Sequence, residues 1–181
     1  EAPWVGFHDA AGLSLDRSGG LLLAAQGREV VLWDVATRRE RFRVARDSDA
    51  GAGSVTFLPD GGAVVVPGAA SVRVVQIPSG RVLLDVPGDG SVVAALSGDG
   101  RRLVVPSEGG AGIVYDLSSS APVARLRGWV ARAGGEPVCL GPFGRRVLAG
   151  VGRERLVRLW DAETGLILHT YPRFESPVLS L

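Results

Sequence analysis

A repeat of roughly forty residues runs through the chain and constrains its fold more than any single residue does. Each copy contains a glycine four residues after a large apolar residue, and these glycines are Gly19, Gly61, Gly100 and Gly144. Further along each copy, an apolar residue is followed by Asp or Gln at a matched distance. A unit of this length is one supersecondary element copied several times, so the sequence predicts a repeat array.

Alternating apolar and polar residues predict four short strands in each copy. In the first copy, Leu13 and Leu15 lie on one strand face and Ser14 on the other, ahead of a turn at Ser18-Gly19. No segment has helical periodicity. Because one four-stranded sheet cannot bury both of its faces, the copies must stack on one another. We therefore predict an all-β fold, a β-propeller of four-stranded antiparallel blades.

Two landmarks resemble those of the WD-repeat β-propeller family. The pairs Trp33-Asp34, Tyr115-Asp116 and Trp160-Asp161 resemble its signature dipeptide, and Pro59-Asp60-Gly61 resembles its Pro-Asp-Gly turn. No copy has the Gly-His pair that precedes the first strand in that family, so the repeats are degenerate. The resemblance implies a ring that most often has seven blades. We therefore expect about four blades, as an arc of a larger propeller, with a closed four-bladed ring as the alternative.

The repeat predicts one propeller segment over residues 1–181. Its expected parts are a partial blade at 1–11, blades at about 12–46, 53–88, 91–128 and 136–172, and the start of another blade at 176–181. The chain lacks an initiator Met, so we expect it to be a piece of a larger multidomain protein. The remaining blades of the same propeller are then expected partners.

The composition is that of an ordinary globular protein, with 46% hydrophobic and 22% charged residues. A formal net charge of +1 gives no field that would attract nucleic acid or a membrane surface. The single cysteine, Cys139, excludes an intrachain disulfide and fits a reducing compartment. We expect an intracellular, cytoplasmic protein without a membrane partner, with a cytoskeletal or ciliary location open.

The residues that most often carry chemistry are isolated. Cys139, His8 and His169 do not form a metal-binding or nucleophilic pattern, and the aspartates occupy turn positions. We therefore expect no catalytic residue, no metal, no cofactor and no enzyme activity. The alternative is a ligand-binding or enzymatic propeller with its site in the axial channel.

The favoured function is a protein–protein interaction scaffold in a signalling, cytoskeletal or ciliary assembly, with a protein or peptide partner. The resemblance assigns the loops before the first and third strands to one face. Its candidate contact residues are Arg28, Glu29, Arg46, Asp47, Asp49, Glu108, Trp129, Arg132, Arg153, Glu154 and Arg155. Trp129 could instead cover the blade below it. A weaker alternative is nucleic-acid binding through the Arg-rich fourth strand around Arg38–Arg46, whose field nearby acidic residues dilute.

Overall fold

We describe the fold from a computed structural model, for residues 6, 10–47, 55–88, 94–107, 110–129, 137–151 and 155–172. Within these ranges the regular elements are β-strands. The chain divides into two compact units, unit 1 (Glu1–Val86) and unit 2 (Pro87–Leu181). Each unit contains two four-stranded sheets, which we call blades 1 and 2 in unit 1 and blades 3 and 4 in unit 2.

In unit 1 the strands of each blade follow one another in both sequence and space, and neighbouring strands are antiparallel. Blade 1 consists of β1 (Ala10–Leu15), β2 (Leu21–Gln26), β3 (Glu29–Asp34) and β4 (Arg39–Ala45). Blade 2 consists of β5 (Thr56–Phe57), β6 (Ala63–Pro67), β7 (Ser71–Gln76) and β8 (Val82–Pro87). This meander is the blade pattern that the alternating residues predict.

Unit 2 has the same topology. Blade 3 consists of β9 (Ala95–Leu96), β10 (Arg102–Pro106), β11 (Gly112–Asp116) and β12 (Ala121–Leu126). Blade 4 consists of β13 (Val138–Leu140), β14 (Arg146–Val151), β15 (Leu156–Asp161) and β16 (Ile167–Thr170). The all-β prediction is therefore confirmed. The predicted start of a further blade at 176–181 lies outside the described residues, as does most of the predicted partial blade at 1–11.

Aspartate side chains close the turns between strands. The Gly62 N–H donates to Asp60 Oδ1 (2.9 Å), next to Gly61, whose positive φ of 72° favours glycine. At the turn after β3, the N–H and the hydroxyl of Thr37 both donate to Asp34 Oδ1 (2.8 Å each). The aspartates of the family-like dipeptides are thus turn caps, as the sequence predicts.

The core of unit 1 lies between its two blades. Blade 1 contributes Leu23, Val30 and Leu32, and these buried side chains belong to one cluster with Val55 and Phe57 of blade 2. All five side chains would otherwise expose apolar surface to water, and burying that surface stabilises the pair of blades. The predicted stacking of neighbouring copies is therefore observed within this unit.

Unit 2 fills its core differently, because a tryptophan from outside the strands enters it. Trp129 is only 2% exposed and lies in one cluster with Trp160, their ring centroids 6.3 Å apart. Gly112 makes the room, since a Cβ at that position would overlap the Trp129 ring. The interpretation of Trp129 as an exposed contact residue is therefore wrong. Its side chain belongs to the core, and it covers blade 3, whose last strand precedes it in the chain.

The first strand of blade 1 has an uncovered apolar face. Leu13 and Leu15 are 58% and 59% exposed, whereas the equivalent Val55 and Phe57 of blade 2 are 4% and 7% exposed. The difference arises because blade 1 packs against the face that carries Val55 and Phe57. Identical positions in the repeat are thus buried or exposed according to whether another blade covers them.

Candidate functional site

Five of the predicted contact residues lie outside the described part of the chain, and these are Asp49, Glu108, Arg132, Arg153 and Glu154. The described members are Arg28, Glu29, Arg46, Asp47, Arg155 and the buried Trp129. The first four lie in unit 1 and Arg155 in unit 2. Arg155 is exposed and has a positive φ of 54° at the turn that precedes β15.

Arg46 and Asp47 form hydrogen bonds with the backbone of neighbouring loops at the end of blade 1. The side chain of Arg46 is buried, and its Nε donates to the Gly27 carbonyl (2.8 Å). Asp47 accepts the Ala69 N–H (2.7 Å) and the Ala70 N–H (3.0 Å), both in the turn between β6 and β7 of blade 2. Partial burial would raise the pKa of Asp47, but these backbone donors outweigh it and hold the pKa below its ordinary value. Both residues therefore connect loops within unit 1.

The arginines of β4 are largely occupied by neighbouring carboxylates. Arg41 Nη2 pairs with Asp34 Oδ2 (2.9 Å), and Arg43 pairs with both Glu29 and Glu40. Glu40 in turn has a lowered pKa, chiefly because Arg43 donates to it. A strand whose guanidinium groups already bind carboxylates offers little free positive charge to a phosphate backbone. These contacts disfavour the nucleic-acid alternative.

The edge strand of blade 4 exposes apolar side chains. All four residues of β16 are exposed, and β16 is the last strand in the order of its sheet. Four large apolar residues in β16 or directly beside it are exposed, and these are Leu166, Ile167, Leu168 and Tyr171. The rings of His169 and Tyr171 meet edge to face with centroids 4.6 Å apart. Exposed apolar residues clustered in this way are typical of binding surfaces.

A second surface feature lies in unit 2, where the turns of blades 3 and 4 meet. We call it the charged cleft, of about 750 Å³, and its principal lining residues are Arg101, Arg102, Asp116, Phe143, Arg145 and Glu163. The two blades are joined beside it, since the Asp99 N–H donates to the Pro142 carbonyl (2.8 Å). Neither the repeat nor the family resemblance drew attention to these residues as a set. The sequence signal was present in the two adjacent arginines after Gly100.

Arg102 is the central side chain of the charged cleft. Its aliphatic part packs on Gly144, where a Cβ would lie 2.5 Å from Arg102 Cγ. Its Nε lies 3.5 Å from Asp116 Oδ2, and its Nη2 lies 4.0 Å from Glu163 Oε1. The remaining nitrogen, Nη1, is buried and has no hydrogen-bond acceptor among the described residues. An unmet buried donor on a cation is costly, and this atom is too enclosed for a ligand oxygen to reach it.

Two carboxylates of the charged cleft are committed to their own turns. The hydroxyl of Ser118 and the Ser119 N–H bind Asp116 and, with the charge of Arg102, lower its pKa to about 2. The hydroxyl of Ser97 donates to Asp99 Oδ1 (2.6 Å) and is the main cause of the lowered pKa of Asp99. Both groups therefore carry their charge at neutral pH while accepting local hydrogen bonds.

Unit 1 has a counterpart of the charged cleft, which we call the apolar groove. It lies at the same turns of blades 1 and 2, has a volume of about 300 Å³, and is lined by Leu21, Leu32, Ile77 and Pro78 together with Arg41 and Gly61. Arg41 is bound by Asp34 through both Nε (3.2 Å) and Nη2 (2.9 Å). The apolar groove thus offers mainly carbon surface.

The residue types that could bind metal or act as nucleophiles remain dispersed. Among the described residues, no group of three or more His, Cys, Asp or Glu side chains is placed to hold a metal ion. Cys139 is a free, half-buried thiol whose pKa is raised by burial. The described residues also include no helix with the length and apolarity needed to cross a bilayer.

Comparison with known proteins bears first on the fold. No family model and no curated protein matches the chain. Among solved structures, a chain of Kuenenia stuttgartiensis hydrazine synthase matches with a TM-score of 0.71 at 22% identity. The match covers 96% of this chain and 53% of that chain, so this chain spans about half the length of the matched one. With the four antiparallel sheets, it shows a propeller-like all-β fold. As 1376 solved chains match, the fold by itself says little about function.

One expectation is corrected by this comparison. The isolated Cys and His residues led us to expect no enzyme activity, yet the matched chain belongs to hydrazine synthase, which is an enzyme. A propeller-like fold of this kind therefore occurs within an enzyme. The lack of a recognisable catalytic pattern in the sequence is therefore not a sufficient reason to exclude enzyme activity.

Proposed function

We propose that this chain is a protein-binding module, and that the apolar edge strand β16 of blade 4 is its main contact surface. The observation that carries the proposal is the exposure of Leu166, Ile167, Leu168 and Tyr171 within six consecutive residues. The exposed part of each apolar side chain contributes nothing to the stability of its own blade. They gain free energy only when another surface covers them.

The equivalent strands of the other blades support this proposal. In β8 of blade 2, Leu84 and Val86 are buried, and in β12 of blade 3, Leu126 is buried. In the second half of β8 alternate residues point inward, the normal pattern for a strand with one covered face, and β12 has half-buried or buried residues at Val123, Ala124 and Leu126. β16 departs from that pattern because all four of its residues are exposed.

The position of β16 favours a protein partner. As the last strand in its sheet, it pairs with β15 on one side. Edge strands can accept a further strand through their backbone groups, and alternate side chains then select the partner. A peptide or protein segment can satisfy both the backbone groups and the apolar side chains.

A display experiment tests the proposal. We would select binders to the immobilised chain from a library of peptides and small domains, then measure their affinity for Leu166→Ser/Leu168→Ser. We expect the double variant to lose at least about tenfold in affinity, because both residues are half-exposed contacts. The matched control is Val82→Ser/Leu83→Ser on β8, since Val82 and Leu166 are both 46% exposed. Binders that ignore the β16 variant, or an absence of binders, would contradict the proposal.

We also propose that a further blade covers Leu13 and Leu15, in keeping with an arc of a larger WD-repeat-like propeller. The support is internal, since Val55 and Phe57 at the same repeat positions are covered by blade 1. Such a blade would present side chains like Leu23, which packs there in unit 1. Leu13→Arg should leave the chain folded but abolish assembly with a separately produced blade, and unchanged assembly would contradict this.

A second candidate function is an enzymatic or ligand-binding propeller, which the likeness to a hydrazine synthase chain favours. The matched chain is longer than this one, so any activity would be expected from a larger assembly. Turnover of a broad panel of small substrates by this chain in its full-length protein would support the candidate. Turnover that persists after substitution of every described His and Cys would show that they take no part in it.

A further inference from the structure

The turn between β6 and β7 of blade 2 holds a carboxylate that comes from the end of blade 1. Asp47 follows the last strand of blade 1, and its Oδ1 accepts the Ala69 N–H (2.7 Å) while its Oδ2 accepts the Ala70 N–H (3.0 Å). Successive backbone N–H groups that converge in this way form a concave site for an anion. We call residues 68–70 the carboxylate turn.

Gly68 gives the carboxylate access to this turn. A Cβ at this position would overlap Asp47 Oδ1 and would lie 2.9 Å from Asp47 Cγ, so a larger residue would displace the carboxylate. The Gly68 N–H closes the turn, because it donates to the Ser71 carbonyl (2.8 Å). Glycine is therefore required here by the close approach of a ligand to the backbone.

The residue before Asp47 makes the opposite contact with blade 1. Arg46 donates from Nε to the Gly27 carbonyl (2.8 Å), in the turn between β2 and β3. A cation thus binds a carbonyl in the turn of blade 1, and an anion binds N–H groups in the corresponding turn of blade 2. From blade 2, Arg73 Nη2 donates back to the Ala45 carbonyl (2.5 Å). The two blades are therefore connected by polar contacts in both directions.

The charges around Asp47 favour its ionised form. Arg73 on β7 attracts the carboxylate, and Arg28, in the turn between β2 and β3, donates from Nη2 to the Asp47 carbonyl (3.3 Å). Arg46 precedes it in the chain, and Asp85 on β8 lines the same recess. Among the described residues, three arginines and one further carboxylate thus surround Asp47, and their sum favours an anion.

We propose that the carboxylate turn is a carboxylate-binding site which the chain fills with its own Asp47, and that this contact is a latch between blades 1 and 2. The latch is closed while the Asp47 side chain is ionised, and it opens when that group is protonated or removed. Because Asp47 belongs to the same chain, its effective concentration at the turn is high, and a dilute external carboxylate does not displace it. Once Asp47 is truncated, a small carboxylate from solution binds the same two N–H groups. The latch lies in unit 1 and is independent of the contact surface proposed at β16.

Chemical rescue with formate tests the site. Asp47→Ala removes a carboxylate of the size of formate, and the matched control Asp85→Ala removes an exposed carboxylate from the same recess. In the whole chain, the Ala69 and Ala70 amides should exchange with solvent at least about tenfold faster in Asp47→Ala than in the wild type, because both lose their acceptor. Sodium formate should restore the slow exchange, and sodium chloride at the same ionic strength should not. Asp85→Ala should behave as the wild type does.

Two further variants sharpen the test. Asp47→Ala/Gly68→Ala should not respond to formate, because the new methyl group takes the place of the bound oxygen. Asp47→Asn keeps the shape of the side chain but has one acceptor oxygen and no charge, so at most one of the two amides should stay protected. Thermal unfolding of each variant verifies that it is folded.

The pH dependence of the same amides is a separate measurement, and it does not require a truncated variant. The backbone donors hold the pKa of Asp47 below its ordinary value of 3.8. A lowered folded-state pKa stabilises the closed latch above the unfolded value, and this contribution is lost as the pH falls through the folded-state pKa. The amide resonances of Ala69 and Ala70 should therefore shift together below pH 3.8, and Asp47→Asn should lack that shift.

Each contrary result overturns the proposal. Formate without effect on Asp47→Ala would show that the turn does not bind a carboxylate by itself. Equal rescue by chloride would remove the selectivity for carboxylate. Equal exchange in Asp47→Ala and Asp85→Ala would reduce the contact to a general effect of surface charge, and amide resonances that ignore the titration of Asp47 would refute the latch. All of these results leave the proposal for β16 standing.

Discussion

The two units build the same pair of blades from side chains of different size and charge. In unit 1, the groove between the blades is lined by Leu21 and Pro78, whereas the equivalent positions in unit 2 are Arg102 and Glu163. These positions are equivalent because each follows the same repeat landmark by two residues. Surface chemistry at one place in the repeat can therefore change without any change in topology.

The cores differ in the same way. Val30 of unit 1 corresponds to Gly112 of unit 2, and the missing volume is supplied by Trp129 from beyond β12. Val75 corresponds to Trp160, whose Nε1 donates to the Arg127 carbonyl (2.8 Å). Cores tolerate exchanges that conserve total volume, so the two units reach a packed state by different routes.

The largest effect should come from breaking the Gly112–Trp129 pair. Trp129→Ala should lower the free energy of unfolding by about 3–5 kcal/mol, because it empties a buried site. Gly112→Val should also destabilise, by about 1–3 kcal/mol or more, since the new side chain would overlap the indole ring. Urea unfolding of the single variants and the double variant provides the measurement. The double variant should be more stable than the sum of the two losses predicts, and strict additivity would contradict the pairing.

A smaller effect is expected from exchanging the residues that the two units carry at one position of the repeat. Ala162 is buried in unit 2 at the position that Ile77 occupies in unit 1. Ala162→Ile should cost about 1–3 kcal/mol, because it overfills a packed core. Ile77→Ala should cost about 1–2 kcal/mol, since the side chain is only half-buried. Equal losses by chemical denaturation would show that the two positions are packed alike.

The pH dependence of stability should report on the turn that Asp116 caps. Asp116 has its pKa lowered from 3.8 to about 2 in the folded chain. A lowered folded-state pKa stabilises the fold above the unfolded value, and this contribution is lost as the pH falls from about 4 to about 2. Asp116→Asn should therefore reduce the change of the urea midpoint with pH over that range. A pH profile of the variant as steep as that of the wild-type chain would be inconsistent with the assignment.

The smallest effect is expected from the exposed ion pair of blade 4. Arg146→Gln removes a contact of 2.8 Å to Asp161 between partly exposed side chains, so the loss should be at most about 1 kcal/mol. Raising the salt concentration should reduce the loss further, because ions screen exposed charges. A large or salt-independent loss would show that this pair does more than join two strands at the surface.

The sequence was sufficient for the blades and turns because their causes are local. Alternating residues define each strand, and the aspartates that cap turns bind donors within a few residues, as Asp34 does with Thr37. The inability of a single four-stranded sheet to bury both of its faces added the expectation of stacking, which the core of unit 1 confirms. Burial that depends on a neighbouring blade was harder to predict. Leu13 and Leu15 match Val55 and Phe57 in pattern, yet their exposure depends on a neighbouring blade.

The candidate site was harder to predict than the fold. Trp129 lies outside the strand positions, so the sequence left open whether it is a surface contact or a cover for its blade, and the clue to its burial was the glycine at position 112. Arg102 drew no attention because an arginine near a turn is ordinarily exposed. Only the packing of its stem on Gly144 and the approach of Glu163 from another blade make it distinctive. Such contacts depend on the distance between blades, which no pattern within one copy encodes.

The burial of Trp129 has a consequence for how this repeat can be recombined. A graft or gene duplication that copied blade 3 and stopped at Leu126, where its last strand ends, would leave the indole behind. The copied sheet would then carry a hole beside Gly112 that no residue of its own could occupy. The smallest transferable module is therefore longer than the sheet, and successful exchanges must extend through the tryptophan.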